Sequence, residues 1–428
     1  MVDHFTKNRD LSSYSSKQYR MIQPPKGTRD ILPEEMEKMQ FIIDVFKDVA
    51  ERYGFKPLDT PAFESFELLA KKGAGEQIRD EIYSFKDKSG RELGLRFDLT
   101  LPLARFIINN PNLSKPFKRY QMGKVWRYDN PQALRYREFG QLDVDVVGTG
   151  SMQADAECLK VAVDFLQAIG LKDFSIRINN RKLLENVLIK MGVEKGKVVE
   201  AFRLIDKMDK IGMEKVKKGL LEIKVDPSFL KMLEDKSVLK ELEYKFSKIE
   251  GLEELKELLS YLKIYGIEKF VKVDLSLARG LEYYTGSVFE VSLRNEKVSF
   301  GGGGRYDKLI KNLGGPDLPA VGISFGLDRV ASILDYKLSK KRIFVAFTSD
   351  KTKGKAIEIC SNLREDKVCD MDLAGRGLSK QLEYANKIGC DFVLIVGESE
   401  LQNNSVKLKD MRTGLEKIVK ISDLKNFI

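Results

Sequence analysis

Residues whose types could do chemistry are concentrated in one stretch, Lys115 to Gly148. From Lys115 to Arg137 this stretch contains seven basic residues and one acid, Asp129. Polar and apolar side chains then alternate, which predicts a strand over 137–147. One face of such a strand carries a mainly polar set of side chains: Phe139, Gln141, Asp143 and Asp145. The other face carries an apolar set suited to a core: Leu142, Val144 and Val146.

The two halves of this stretch admit different chemistry. The basic half could bind any polyanion. Carboxylates and an amide on an enclosed sheet surface are costly to bury unless they are paired, and the ammonium of a ligand is a natural partner. A solvated outer face is the alternative interpretation of the same strand.

Histidine is nearly absent from the chain, because His4 is the only one. Ser-His-Asp catalysis, Cys-His catalysis and histidine-ligated zinc are therefore disfavoured. The four cysteines have no CxxC spacing, which indicates free thiols in a reducing compartment. The chemistry must rely on arginines, carboxylates, tyrosines, backbone dipoles or a bound metal.

Three further segments contain residues suited to ligand binding. The segment 277–286, LARGLEYYTG, contains an adjacent tyrosine pair, although ordinary strand packing also explains such a pair. In 301–306, GGGGRY, the glycines fit backbone that passes close to a ligand or to another strand, and a flexible turn fits equally well. The segment 322–330, GISFGLDRV, predicts a strand entering a helix, where Arg329 suits a nucleotide polyphosphate.

The elements that must position these residues fall into distinct regions. Alternating strands with irregularly placed helices predict an α+β fold with a largely antiparallel sheet over 21–335. Lys- and Glu-rich helices at about 194–265 indicate a helical insertion, and a solvated helical face of the main domain is the alternative. Residues 340–428 alternate strands and helices, which predicts a separate α/β domain. Residues 1–20 are polar, which indicates a mobile tail rather than a secretory signal.

Composition bounds the partners and the location. The net charge of +10 and the pI of about 9.1 favour a polyanionic partner, although weakly. The longest apolar runs, such as Phe392–Val396, fall far short of the roughly 18 residues that a membrane span needs. We therefore expect a cytoplasmic protein with no membrane partner.

The stretch 115–148 resembles motif 2 of class II aminoacyl-tRNA synthetases, in the form typical of the histidyl enzymes. The resemblance implies that Arg127 holds the α-phosphate of ATP and the carboxylate of histidine, with Asp129 also in the ATP site. It implies that Gln141 and Asp145 hold the ammonium of histidine.

The loop of this motif would contact tRNA. By the same resemblance, Gln132 and Arg135 reach the end of the tRNA acceptor stem. The sequence departs from the family pattern at Leu134, where glycine is usual.

Other segments resemble further motifs of the same family. LARGLEYYTG resembles its histidine-specific motif, in which Arg279 lies against the α-phosphate and contacts histidine. Tyr283 and Tyr284 would shape the pocket for the imidazole. GISFGLDRV resembles motif 3, in which Arg329 stacks on adenine and meets the phosphates of ATP. Asp328 stands where many members have glutamate.

The remaining resemblances extend over most of the chain. In RFDLTLPLAR, three adjacent residues match a histidine-binding stretch: Asp98, Leu99 and Thr100. KGTRDILP, residues 26–33, resembles the N-terminal signature of the family. The helix over 34–53, with Pro61 after it, resembles motif 1, which forms a dimer interface in class II enzymes. The C-terminal region resembles the anticodon-binding domain of the histidyl, prolyl, threonyl and glycyl enzymes.

Together these resemblances imply an ATP-dependent enzyme that activates L-histidine and transfers it to tRNA(His), as a homodimer. Arg127, Arg279 and Arg329 would carry the catalysis, with Mg²⁺ on the phosphates and no metal bound by the protein alone. Three alternatives stay open. They are a synthetase-like regulatory subunit of a histidine-biosynthesis enzyme, a general nucleic-acid-binding protein and another class II synthetase.

Overall fold

The computed structural model describes residues 22–71, 77–130, 134–230, 249–278, 283–294, 296, 298–336 and 341–428. The predicted tail over 1–20 lies outside these residues. Backbone contacts divide the chain into a first compact unit that ends at Leu334 and a second, Asp335–Ile428. No helix among the described residues is both long enough and apolar enough to cross a membrane.

The first unit contains eleven strands among the described residues. In chain order they are β1 (Lys56–Pro57), β2 (Phe63–Ser65), β3 (Ser84–Lys86), β4 (Glu92–Leu95), β5 (Phe117–Trp126), β6 (Glu138–Val147), β7 (Phe174–Asn180), β8 (Val271–Val273), β9 (Ser287–Leu293), β10 (Ser299–Arg305) and β11 (Ala320–Gly326).

Eight of these strands form one large sheet in the order β1-β5-β6-β11-β10-β9-β7-β8. The inner pairings are all antiparallel, and only the two edge pairings, β1 with β5 and β7 with β8, are parallel. A smaller sheet has the order β2-β4-β3. The predicted α+β fold with a largely antiparallel sheet is therefore confirmed.

Helices of the first unit lie between these strands. The α-helices are Pro33–Arg52, Phe66–Leu69, Thr100–Asn109, Met152–Ala168, Arg181–Lys190, Val198–Asp206, Met208–Ile211, Met213–Glu222, Leu252–Ile264, Leu309–Asn312 and Leu327–Ile333. Short 3-10 helices cover Gln77–Glu81, Lys195–Lys197, Pro227–Phe229 and Glu268–Phe270. The described part of the predicted insertion is thus helical.

Two long helices cover one face of the large sheet. Pro33 begins the first helix, where a missing backbone N–H costs nothing, and Phe46 is fully buried on it. The ring of Phe46 lies 5.2 Å from that of Phe165, on the helix Met152–Ala168. Phe165 in turn lies 5.2 Å from Phe325 of β11, and Phe46 lies 6.5 Å from Tyr120 of β5. This aromatic core fixes which face of the sheet remains for polar side chains.

The second unit has its own sheet, in the order β13-β12-β14-β15-β16. Its strands are β12 (Arg342–Phe347), β13 (Val368–Met371), β14 (Phe392–Val396), β15 (Ser405–Asp410) and β16 (Glu416–Lys420). Its helices are Asp350–Leu363, Glu398–Gln402, Leu378–Lys387 and the 3-10 helix Ile421–Asn426. The strands β13, β12 and β14 pair in parallel, as expected where helices connect them.

Candidate active site

Strand register brings the predicted polar residues together on one face of the large sheet. Residues paired across neighbouring strands point to the same face, so a row of polar side chains forms wherever their positions match. Asp145 of β6 pairs with Arg119 of β5 and with Gly322 of β11. The next row is Gln121, Asp143 and Ser324, and the third is Gly123, Gln141 and Gly326. The predicted strand and its two faces are confirmed.

Glycines make room on this face and between the strands of the sheet. An added Cβ at Gly322 would lie 2.1 Å from Oδ1 of Asp145, so only glycine leaves space for that carboxylate. The four glycines of GGGGRY lie within β10, and a Cβ at Gly303 would lie 2.1 Å from the carbonyl oxygen of Gly322. Close approach to another strand is therefore the correct explanation for Gly303, and the flexible turn is wrong.

The carboxylates of β6 are buried and have protein partners. Asp145 accepts a hydrogen bond from the hydroxyl of Tyr306, and its Oδ2 lies 2.8 Å from Nη2 of Arg119. Asp143 accepts hydrogen bonds from the hydroxyl of Ser324 and from Nε2 of Gln141, the latter at 3.2 Å. Burial raises the pKa of Asp145 to about 6, against the opposing effect of Arg119. It raises the pKa of Asp143 as well.

Arg127 lies at the end of this row. Its Nε donates to the carbonyl of Phe97 at 2.9 Å, and its Nη2 lies 3.5 Å from Oε1 of Gln141. The guanidinium carbon is 5.3 Å from the centre of the Phe139 ring. Gln141 also donates to Ser324 at 2.9 Å. Both side chains are therefore oriented by neighbours on the same face.

The Asp98 segment enters the site from the start of the helix Thr100–Asn109. Oδ1 of Asp98 accepts hydrogen bonds from the backbone N–H groups of Thr100 at 3.2 Å and Leu101 at 3.1 Å. Burial nevertheless raises the pKa of Asp98 to about 6, with Leu101 and Arg127 acting in the opposite direction. Leu99 is buried, and its carbonyl accepts a hydrogen bond from Arg119 at 3.2 Å. Leu99 thus contributes backbone and packing to this face.

Tyrosines adjoin the carboxylate row. The rings of Tyr283 and Tyr284 lie 4.7 Å apart, and Tyr283 lies 6.3 Å from Tyr306, the partner of Asp145. Burial raises the pKa of Tyr283 and Tyr284. The two tyrosines of the histidine-specific segment are therefore neutral groups, with Tyr284 close to Asp145 and Tyr283 close to Asp98. Arg279, from the same segment, lies outside the described residues.

The segment resembling motif 3 forms the far side of the site. Arg329, on the helix Leu327–Ile333, donates from Nη1 to the carbonyl of Ser299 at 2.7 Å and from Nε to that of Leu134 at 3.4 Å. Its neighbour Asp328 accepts from Arg29 at 2.9 Å and from the backbone N–H of Gly140 at 3.0 Å. Asp328 thus connects this helix to the N-terminal signature and to β6.

The loop of the motif 2 segment is described only in part. Asp129 forms an ion pair with Arg135, and its carbonyl accepts from Arg137 at 3.0 Å. Leu134 has a φ of 60°, a left-handed conformation that glycine adopts more easily. This explains in physical terms why glycine is usual there. Gln132 lies outside the described residues.

Three residues of the site carried no prediction from the sequence. They are Arg119, Ser324 and Tyr306. Arg119 follows the same alternation as Gln121 and Gly123 on β5, so a period-two pattern was available as a signal for it. Among the described residues, no three His, Cys, Asp or Glu side chains are grouped so that they could hold a metal ion.

An antiparallel sheet with this polar face, followed by a separate α/β unit, is the arrangement that the resemblance to class II aminoacyl-tRNA synthetases implies. Comparison with known proteins specifies it further. A family profile described as histidyl-tRNA synthetase matches residues 27–330, and one described as anticodon binding domain matches residues 339–428. The chain belongs to the histidyl-tRNA synthetase family.

Individual relatives are similar over most of the chain. A histidine–tRNA ligase of Methanocaldococcus jannaschii is 40% identical over 422 residues, which cover 95% of this chain and 99% of the relative. The histidine–tRNA ligase of Thermococcus kodakarensis is 38% identical over 417 residues, covering 92% and 95%. The crystal structure of a histidyl-tRNA synthetase from Nostoc matches with a TM-score of 0.85 at 30% identity, covering 95% of this chain and all (100%) of that one.

A second solved structure shares the fold. An ATP phosphoribosyltransferase regulatory subunit/histidyl-tRNA synthetase from Bacillus halodurans matches with a TM-score of 0.76 at 23% identity, covering 88% of this chain and 98% of that one. At that identity the likeness concerns the fold alone.

Proposed function

We propose that the chain activates L-histidine with ATP and transfers the histidyl group to tRNA(His). The observation that carries this proposal is the single sheet face that holds Gln141 and Asp145 of β6, with Arg127 beside Gln141 and with Asp98 and the tyrosines close by. In the first step the carboxylate of histidine attacks the α-phosphate of ATP, giving histidyl-adenylate and pyrophosphate. In the second, the terminal ribose hydroxyl of the tRNA attacks the histidyl carbonyl of the adenylate, which forms the ester and releases AMP.

Each side chain on the face has a distinct part in this proposal. Asp98, Gln141 and Asp145 accept hydrogen bonds from histidine, chiefly from its ammonium. The carboxylates of Asp98 and Asp145 suit that group because charge-assisted hydrogen bonds are about twice as strong as neutral ones, and the amide oxygen of Gln141 adds a neutral acceptor. Thr100 and Leu99 complete this end of the pocket.

The tyrosines would surround the imidazole. Tyr283 and Tyr284 keep their protons because burial raises their pKa, so they offer hydroxyl groups and ring faces rather than charge. A neutral aromatic wall suits an imidazole, which is itself neutral for most of its population near physiological pH.

Arginines would act on the phosphates. Arg127 would hold the α-phosphate and the histidine carboxylate, Arg279 would lie against the α-phosphate, and Arg329 would stack on adenine. Neither step needs a covalent intermediate with the enzyme, so placing the reactants and stabilising charge on the α-phosphate suffice. A chain with one histidine can carry out such chemistry.

Mg²⁺ belongs to this proposal as a companion of ATP. Phosphate oxygens and water would mostly coordinate this ion. Asp129, expected in the ATP site, and Glu81, which interacts electrostatically with Asp129 and Arg127, are carboxylates that could complete its shell. Bound there, Mg²⁺ would neutralise phosphate charge.

The wider organisation follows from the same proposal. Residues 21–335 would form the catalytic domain, with the helical insertion at about 194–265, and residues 340–428 the anticodon-binding domain. Arg135 and Gln132 would contact the acceptor end of the tRNA. We infer a homodimer, supported by the motif 1 resemblance of the helix Pro33–Arg52, which light scattering would test. A cytoplasmic location is supported by four buried free thiols.

The direct test is histidine-dependent exchange of pyrophosphate into ATP, with proline and threonine as comparison amino acids. We expect exchange with histidine only, followed by charging of tRNA(His). Folded protein that exchanges no pyrophosphate with any of the three would overturn the proposal and favour the regulatory alternative. Exchange with another amino acid alone would instead indicate a different class II synthetase.

A further inference from the structure

Arg119 is the most deeply buried charged residue on the proposed histidine-binding face, with an exposed fraction of 0%. Its Nη2 lies 2.8 Å from Oδ2 of Asp145 and 3.8 Å from Oδ2 of Asp143, between the two carboxylates. The same nitrogen donates to the carbonyl of Leu99 at 3.2 Å, and Nη1 donates to Gln121 at 3.5 Å. Arg119 therefore contacts both ligand-binding segments from inside the sheet.

The charges around Arg119 explain why a cation is needed there. Asp98, Asp143 and Asp145 are all buried, and buried carboxylates close together resist ionising at the same time. Arg127 lies at the edge of the face, beside Gln141. Arg119 alone, among the described residues, forms ion pairs with Asp143 and Asp145.

We propose that Arg119 is a positioning residue of the histidine pocket, which keeps Asp145 ionised and correctly oriented for histidine while Asp143 neutralises the remaining charge of the guanidinium. The inference rests on the proposed function, because it concerns the same pocket. Arg119 does not touch the reacting atoms; it acts through Asp145. A purely structural role would instead make Arg119 a buried pair that stabilises the sheet and has no specific effect on histidine.

The two roles differ in how histidine binding depends on pH. The titratable or charged groups around Asp145 come from six segments of the chain: Arg119, Asp143, Asp98, Tyr306, Tyr284 and Cys158. Burial raises the pKa of Tyr306, Tyr284 and Cys158, so these three stay neutral near physiological pH. Removing the guanidinium leaves the carboxylates to repel one another, so Asp145 would remain protonated at neutral pH and ionise only at alkaline pH.

The experiment measures the KM for histidine in pyrophosphate exchange from about pH 6.5 to about pH 9, for wild type and Arg119→Met. The ratio of the two KM values cancels the titration of free histidine. We expect a ratio of about 100 near neutral pH that falls towards alkaline pH, by up to about tenfold per pH unit, with kcat changed less than about threefold. Arg119→Lys, which keeps a positive charge, should recover much of the affinity.

A second variant keeps the test valid if Arg119→Met does not fold. The double variant Arg119→Met with Asp143→Asn removes one charge of each sign and preserves the hydrogen bonds to Ser324 and Gln141. It should bind histidine more tightly than Arg119→Met. Where Arg119→Met is insoluble, the double variant should fold, and the ratio of its KM for histidine to that of wild type should change little with pH.

The matched control is Arg305→Met. Arg305 is 1% exposed and pairs with buried Asp155 on the opposite, helix-covered side of the sheet. This variant should lose thermal stability, but the ratio of its KM for histidine to that of wild type should not change with pH. The inference would be overturned if the ratio of the KM of Arg119→Met to that of wild type did not change with pH. It would also be overturned if neither Arg119→Lys nor the double variant restored affinity for histidine. In both cases histidine-dependent exchange by wild type would still support the proposed function. If wild type showed no histidine-dependent exchange, both this inference and the proposed function would be overturned.

Discussion

Replacing Gly322 with alanine adds one methyl group beside Asp145, at the centre of the proposed histidine pocket. The new Cβ would lie 2.1 Å from Oδ1 and 2.6 Å from Cγ of Asp145, and 2.8 Å from the carbonyl oxygen of Val144. Carbon and oxygen cannot approach so closely, so something must move. The end of a side chain moves more easily than two paired strands, and the carboxylate of Asp145 should therefore be displaced.

The size of the effect follows from the bond that is lost. A hydrogen bond from a charged group to a carboxylate contributes about 1.5–3 kcal/mol, which corresponds to about a 10- to 150-fold weaker binding of histidine. We expect the KM for histidine to rise by that factor and the KM for ATP to change less than about threefold. Overpacking should also lower the free energy of unfolding by about 1–3 kcal/mol.

Histidine-dependent pyrophosphate exchange measures both KM values, and urea unfolding measures the stability. Gly326→Ala is the control, because it lies on the same strand and face but its Cβ would come no closer than 3.8 Å to any neighbour. It should leave the KM for histidine within about twofold. A stably folded Gly322→Ala protein with normal histidine affinity would show that Asp145 does not contact histidine.

Three further predictions concern single side chains. Asp98→Asn removes a carboxylate whose pKa is raised by burial to about 6. Because a raised pKa in the folded state means that the ionised form destabilises the fold, the variant should be more stable than wild type at about pH 8, by up to about 3 kcal/mol. The stability advantage of Asp98→Asn should shrink as urea unfolding is repeated from about pH 7 down to about pH 5. The KM of the variant for histidine should be higher than that of wild type. Equal stability of the two proteins at alkaline pH would contradict the prediction. Arg329→Met should raise the KM for ATP by about 10-fold or more and leave that for histidine nearly unchanged, and a parallel rise of both would argue against a role at adenine. Arg279→Ala should keep its thermal transition but lose about 100-fold or more of histidine-dependent exchange, and near-normal exchange would remove the role assigned to that arginine.

Much of this site was predictable because period two is a strong local signal. The alternation over 137–147 placed Gln141, Asp143 and Asp145 on one face of β6, and the structure confirms that face. The sequence did not explain the four glycines of GGGGRY in the same way. Their ordering entropy alone does not distinguish backbone close to a ligand, backbone close to another strand and a flexible turn. Only the pairing of β10 with β11 shows that Gly303 lies against backbone.

The partners of the polar face depend on contacts between distant parts of the chain. Tyr306 bonds Asp145 across 161 residues, and Arg29 bonds Asp328 across 299. No local pattern specifies such pairs, since they arise from strand order and register. Arg119 is different, because its position on β5 was visible in the alternation, but its role became apparent only when β6 was placed beside it.

The energetics of this face connect its stability to its proposed function. Buried carboxylates with raised pKa values, such as Asp98 and Asp145, are unfavourable in their ionised form and gain most from a nearby positive charge. Arg119 meets part of that need from within the sheet, and the ammonium of histidine would meet the rest from the pocket side. A carboxylate satisfied completely by the protein would have little left to gain from a ligand. The partial neutralisation by Arg119 therefore suits a face that must be stable enough to fold and still bind a cationic amino group.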